Sequence, residues 1–327
     1  MKKVIVTVTV ILSVLIVAEL TGSFFLMRFA IARKDADFPE PIYEVRDDVR
    51  ERVYRNTGDI AAKTADWLRT LDIEQVSITA PDGILLCADC VDNGGTDWVI
   101  LLHGYSRTRA KVYNYGRAYA EHGYSLLMPD MRGHGSSGGD YMGMGIPDRK
   151  DVPGWAEMIR SRRPDARIVI HGVSMGAASA MTAAAEALPG NVRAVVEDCG
   201  YTSALDIFGD VMRELAHLPE FPLLYTASAE AKLFAGYSFG EVTPLDCVKR
   251  SNVPIMFIHG SADGFVHTDM VYRLYEACTT EKALLIAEGA AHGQAMYIDP
   301  EGYFGRVFEF VDRYVRDSGG DGNDDGG

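Results

Sequence analysis

The chain has 327 residues, a hydrophobic fraction of 47% and a formal net charge of −14 at pH 7. Length and apolar content suit one large α/β domain with a short appendage. The acidic balance argues against a nucleic-acid partner, which needs Lys/Arg patches, and five cysteines are too few and too odd in number for a disulfide scaffold.

Met1-Lys2-Lys3 precedes an apolar run from Val4 to Ala18, interrupted by Glu19 and resumed from Leu20 to Ala32. A cleaved signal would use the small-residue site Ala30-Ile31-Ala32, which lies far beyond an ordinary apolar stretch. An uncleaved single-pass anchor over residues 1–34 is expected instead, since Val4 to Met27 supplies the length a bilayer needs. Secretion after cleavage is the alternative. Lys2 and Lys3 face Arg33 and Lys34 across the run, so charge leaves the orientation open. A chain starting near Asp35 is expected to be soluble and active.

Residues 35–74 read as a linker and a leading helix, about Asp47 to Leu71, with Val49, Val53, Ile60, Trp67 and Leu68 on its apolar face. Residues 75–316 form the main domain. Gln75–Thr79 and Ile84–Val91 are strands around the turn Ala80-Pro81-Asp82-Gly83. Cys87 and Cys90 fall in the second strand, where alternation sends them to opposite faces, against a redox or zinc role.

Strands and helices then alternate. Strands are expected at Trp98–Leu102, Tyr124–Met128, Arg167–Val173, Val192–Val196, Ile255–Ile258 and Ala283–Ala287. Helices are expected at Arg109–His122, Asp148–Arg162, the Ala-rich run after Ser174, Thr268–Ala277 and Pro300–Arg316. This rhythm predicts an α/β fold, a mostly parallel eight-stranded sheet covered on both faces, with an antiparallel start. Residues 201–251 break it with prolines and aromatics and read as a small helical cap insertion. The tail, 317–327, is Gly, Asp and Asn after Ser318, and reads as disordered.

The pattern G-x-S-x-G occurs three times, centred on Ser137, Ser174 and Ser238. Only Ser174 has a β-branched strand before it and a helix after it, the context of a strained turn that lifts a serine off the sheet. Serine needs a base within reach to become a nucleophile. His292 follows the last strand in a glycine-bounded loop, and Asp263 follows the strand before. The order Ser, acid, His is that of hydrolase triads on such sheets. The amides of Met175 and Tyr105 are the expected oxyanion donors. Rivals are His267 for the base and Asp198 for the acid, while His171 and His259 read as turn or core residues.

The blocks His103-Gly104-Tyr105, Pro129-Asp130-x-Arg132-Gly133-His134-Gly135-x-Ser137-x-Gly139, Gly172-x-Ser174-x-Gly176, His259-Gly260-x-x-Asp263-x-x-Val266 and Gly289-x-x-His292 resemble the α/β-hydrolase superfamily. The chain is similar to bacterial single-pass hydrolases of the serine aminopeptidase or Bem46-like type. The resemblance implies an eight-stranded sheet, a triad of Ser174, Asp263 and His292, and neither cofactor nor metal.

A small acyl substrate is the expected partner. The aromatic insertion and its scattered basic residues favour short to medium acyl esters over phosphates. Thioesters, amides and peptides are the alternatives on the same site, and a catalytically silent binding protein is the non-enzyme alternative. Gly133-x-Gly135-x-x-Gly138 matches a dinucleotide fingerprint, but no helix follows it.

Overall fold

The computed structural model describes residues 1–34 and 45–316. The expected tail, 317–327, and most of the linker lie outside these residues. Two helices precede the sheet, α1 (Lys2–Ile31) and α2 (Asp47–Leu68). Then come β1 (Glu74–Thr79), β2 (Leu85–Val91), β3 (Asp97–Leu102), α3 (Tyr113–Glu121), β4 (Ser125–Pro129), α4 (Asp151–Arg162), β5 (Arg167–Val173), α5 (Met175–Ala183) and β6 (Val192–Asp198). The insertion supplies α6 (Ala204–Asp210), which runs into a π-turn at Val211–Leu215, then α7 (Leu223–Phe234) and α8 (Pro244–Val248). The chain closes with β7 (Ile255–Gly260), α9 (Asp269–Ala277), β8 (Lys282–Ala287), a short α10 (Ala295–Ile298) and α11 (Pro300–Val315).

The strands form one eight-stranded sheet in the order β1-β2-β4-β3-β5-β6-β7-β8. β2 pairs antiparallel with both β1 and β4, and the remaining pairings are parallel. Parallel strands are buried on both faces. Ile100, Leu102, Ile168 and Ile170 pack on one face with α4, α5 and the cap. Val99, Leu101, Val169 and Val196 pack on the other with α3 and α11. Chain order reverses at β3, which lies between β4 and β5. The crevice at the carboxyl ends there is where ligands bind in open α/β sheets.

Two expected helices begin as 3₁₀ turns, at Arg109–Val112 and Asp148–Lys150. The Ala-rich helix stops at Ala183, well before Leu188-Pro189. All five cysteines are free, with Cys87 half-buried and Cys90 buried.

α1 does not stand apart from the domain. Ser23, Met27, Ala30 and Ile31 are buried, and Met27 and Ile31 join the core that holds Leu224, Ala227 and Ala231 of α7. Beyond α1, Ala32 bridges Tyr141, and the Arg33 guanidinium donates to the carbonyls of Ser137 and Gly135.

Candidate active site

The turn between β5 and α5 is forced by close packing. A Cβ on Gly172 would sit 2.1 Å from the Gly176 carbonyl oxygen, and one on Gly176 2.2 Å from that of Leu102. Only glycine lets helix and strands approach this closely. Ser174 between them has φ 57° and ψ −115°, a strained conformation costing about 1–3 kcal/mol, of the kind found at functional sites. Strain and glycines together bring its hydroxyl out at the carboxyl end of the sheet.

Three side chains from three loops meet there. The Ser174 hydroxyl donates to His292 Nε2 at 2.8 Å, and His292 Nδ1–H donates to Asp263 Oδ2 at 2.8 Å. Asp263 is buried and fully engaged. Its Oδ1 accepts the amides of Phe265 and Val266, both at 2.9 Å. Its Oδ2 also lies 3.3 Å from His259 Nε2. Burial alone would push this carboxyl up, but the His292 and His259 rings hold it well below the usual carboxylate range. An ionised Asp263 keeps the proton of His292 on Nδ1 and leaves Nε2 free to accept.

The loop after β3 is held by two buried histidines. His103 Nδ1–H donates to Gly104 O at 2.8 Å, and its Nε2 accepts the Met131 amide at 3.0 Å. His134 Nδ1–H donates to Arg132 O at 2.9 Å, and its Nε2 accepts the Ser106 amide at 3.1 Å. Burial pushes them down to about 4 and about 3, keeping both neutral and able to accept. Tyr105 stands between the two fixed points. Gly104 abuts Ser174, since a Cβ there would lie 3.4 Å from the Ser174 Cβ. The Met175 amide is the first of α5, where N–H groups have no helical acceptor.

Other candidate residues lie elsewhere. Ser137 is buried, donates to Asp130 O at 2.6 Å and accepts the Cys87 amide at 2.9 Å. Ser238 donates to Glu241. His267 pairs with Glu214 of the cap at 3.0 Å. Asp198 is fully buried and accepts from Tyr303 at 2.8 Å and Tyr115 at 3.4 Å. His171 sits between the Tyr119 and Tyr303 hydroxyls.

Three neighbours of the site had no sequence signal beyond their position. His259 is a second ring on Asp263, Phe265 stacks edge-on against His292 at 5.1 Å, and the Cys199 thiol lies 4.0 Å from His292 Nε2. Among the described residues, Asp210, Glu214 and His267 alone come close enough to share a metal ion; the first two lie on the cap and His267 in the loop between β7 and α9.

Residues 96–201 match the family described as serine aminopeptidase, S33. The protein YqkD of Bacillus subtilis (strain 168) is 29% identical over 215 residues, 65% of this chain and 70% of that one. The solved Pyrococcus furiosus esterase Pf2001 superposes with a TM-score of 0.63 at 26% identity, covering 86% of this chain and 99% of its own. A lidless α/β serine hydrolase from Xanthomonas campestris superposes at 0.51 with 18% identity, over 75% and 96% of the two chains, a likeness of fold alone. Sheet order, the single reversed strand and these likenesses agree: the chain has the α/β-hydrolase fold.

Proposed function

We propose that the protein is a serine hydrolase that cleaves carboxylic esters of short to medium acyl chains through an acyl-enzyme. The observation that carries this reading is the unbroken hydrogen-bond chain from Ser174 through His292 to Asp263. His292 takes the hydroxyl proton as Ser174 attacks the carbonyl, then returns it to the leaving alcohol. Asp263 orients the ring and stabilises the imidazolium. The oxyanion is received by the Met175 and Tyr105 amides, whose loops are fixed before substrate arrives. Water then enters by the same route in reverse. The esterase Pf2001, at 26% identity, supports ester over other acyl substrates.

A second reading, amide cleavage, is favoured by the match of residues 96–201 to the serine aminopeptidase family. Matched p-nitrophenyl butyrate and p-nitroanilide substrates separate the two, and faster anilide turnover would replace the ester assignment. Esters need less protonation of the leaving group, and the expected kcat/KM on a good ester is about 10⁴ M⁻¹s⁻¹ or more. A fluorophosphonate probe should label Ser174 alone. Ser174→Ala should lose labelling and about 10³-fold or more of kcat, and retained turnover in that variant would overturn the assignment.

We also read α1 as an uncleaved membrane anchor. It has 30 residues with a mean hydropathy of 2.5 over its most apolar window. Its last turns form part of the core, so cleavage after Ala32 would strip Met27 and Ile31 from the cap. Resistance of the full chain to carbonate extraction is the expected result, and a mature N-terminus at Arg33 would refute it.

A further inference from the structure

The cap holds an uneven share of the exposed apolar surface. Outside α1, the exposed large apolar side chains among the described residues include Leu215, Leu218, Phe221, Tyr225, Leu233 and Phe234, all within residues 215–234. The remaining ones, Tyr54, Leu85 and Tyr272, are scattered over the body. Single exposed apolar residues are ordinary, but a cluster of this kind marks an interaction surface.

The cluster adjoins α1. Leu223, the first residue of α7, lies over Gly22, where an added Cβ would meet it at 3.6 Å. Phe234, the last residue, meets the Phe24 ring at 5.3 Å. From Leu223 to Phe234 the helix rises about 17 Å, whereas Gly22 and Phe24 are about 3 Å apart along α1. α7 therefore lies across α1, over the buried Ser23 between them. With α1 along the bilayer normal, α7 is inclined to that normal and its exposed side chains lie beside the anchor.

Depth agrees with direction. A hydrocarbon core takes about 20 residues of helix, which from Val4 ends near Ser23, at the crossing. Exposed Phe25 and Phe29 follow, with Arg28, Arg33 and Lys34, the aromatic and basic side chains that settle at headgroup level. Glu19, the one acidic residue of the apolar run, is half-buried and close enough to Glu230 of α7 for their carboxylates to interact. The site itself is tied to the same place, because the Tyr105 hydroxyl donates to Ala30 O at 2.7 Å and accepts from Lys34 Nζ at 2.9 Å.

We propose that residues 215–234 rest on the lipid bilayer beside α1, and that the site takes its ester substrates from the lipid phase. This rests on the anchored-hydrolase reading above. An apolar surface beside a membrane anchor lowers its free energy by being buried at the headgroup–acyl boundary. Here it also brings the cap against the phase into which medium-chain esters partition.

The test uses the full chain in phosphatidylcholine vesicles, with Cys87→Ser to remove the half-buried thiol. Nitroxide labels are placed at Leu218→Cys, Phe221→Cys and Leu233→Cys, with Tyr54→Cys and Tyr272→Cys for comparison. The cap labels should be reached by oxygen and shielded from a nickel chelate, and the body labels should show the reverse. Cap labels as open to nickel as the one at residue 54 would overturn the contact. In a second arm, the triple variant Leu218→Glu, Phe221→Glu, Leu233→Glu should hydrolyse a medium-chain methylumbelliferyl ester, the decanoate, partitioned into the vesicles about tenfold more slowly or worse. Its rate on soluble p-nitrophenyl butyrate should stay as in the parent chain. Equal rates on both esters before and after substitution would overturn lipid-phase delivery. A parent chain inactive on butyrate would overturn the ester reading and lipid-ester delivery with it, and the label depths would still decide the contact.

Discussion

Asp263 receives three donors on two oxygens, two backbone amides and the His292 ring, and the His259 ring, which donates to Val266 O at 2.9 Å, lies 3.3 Å away. Such a carboxylate fixes direction as well as charge. Asp263→Asn keeps the shape but offers an amide N–H where His292 Nδ1–H must find an acceptor, turning the ring to the wrong tautomer. A loss of about 10⁴-fold in kcat is expected, with KM little changed, measured by steady-state ester kinetics. His259 belongs to the same cluster. Burial opposes its protonation, yet Asp263 and Glu197 raise its affinity for a proton. His259→Phe should weaken the hold on Asp263 and lower kcat by about tenfold, and the pH–rate profile should shift, which simple destabilisation would not cause. The residues Ser174, Asp263 and His292 were legible because each ends or follows a strand in a fixed chain order. His259 reads as a turn or core residue, and its ring does bond the core carbonyl of Val266, but nothing in a histidine before a glycine shows that a carboxylate lies beside the same nitrogen.

Among elements, the strands were legible to within one or two residues, since β-branched runs bounded by glycine and aspartate leave little freedom. The 3₁₀ starts at Arg109 and Asp148 were not, because the tighter turn carries no separate periodicity. Nor was the docking of α1. A helix apolar on all sides has no stripe to say which residues leave the lipid for a protein neighbour. That docking changes where the chain can be cut. Removing residues 2–18 takes away only side chains that the domain does not cover. Removing residues 2–34 also uncovers the surface under Met27 and Ile31, each worth about 1.5–3 kcal/mol when fully buried. The shorter cut should leave Tm nearly unchanged in detergent, and the longer one should lower it by several degrees. Equal melting of the two truncations would show that α1 adds nothing to the fold.

For the molecule as a whole, the sheet buries more acid than it neutralises. Burial pushes Glu197 up to about 8, Asp148 up to about 7 and Asp198 up to about 6. Each binds its proton more tightly folded than unfolded, so each contributes stability that is complete below the ordinary carboxylate range. That contribution is lost as pH rises through the folded values, in a window from about pH 4 to pH 8. Asp263 has the opposite sign, but its window lies below pH 4. The buried His103, His134 and His171 rings, pushed down by burial, add stability as pH rises to about 6.5, so thermal stability should decline from about pH 7 to pH 8.5, and Glu197→Gln should flatten that slope. A parent chain equally stable at both ends would mean that these carboxyls are ionised without penalty.

The ends of α1 and of α11 sit at opposite poles of the sheet. Ala32 bridges Tyr141 in the loop beyond the carboxyl end of β4. Arg316 donates to the His122 carbonyl and pairs with Asp97, at the amino end of β3. Whatever is fused after residue 316 thus starts from the pole opposite Ser174 and the end of α1. On the anchored-hydrolase reading, a fluorescent protein joined there should report on the protein in a living membrane without slowing it, whereas the same cargo at residue 1 would have to be carried through the bilayer or left against its far side.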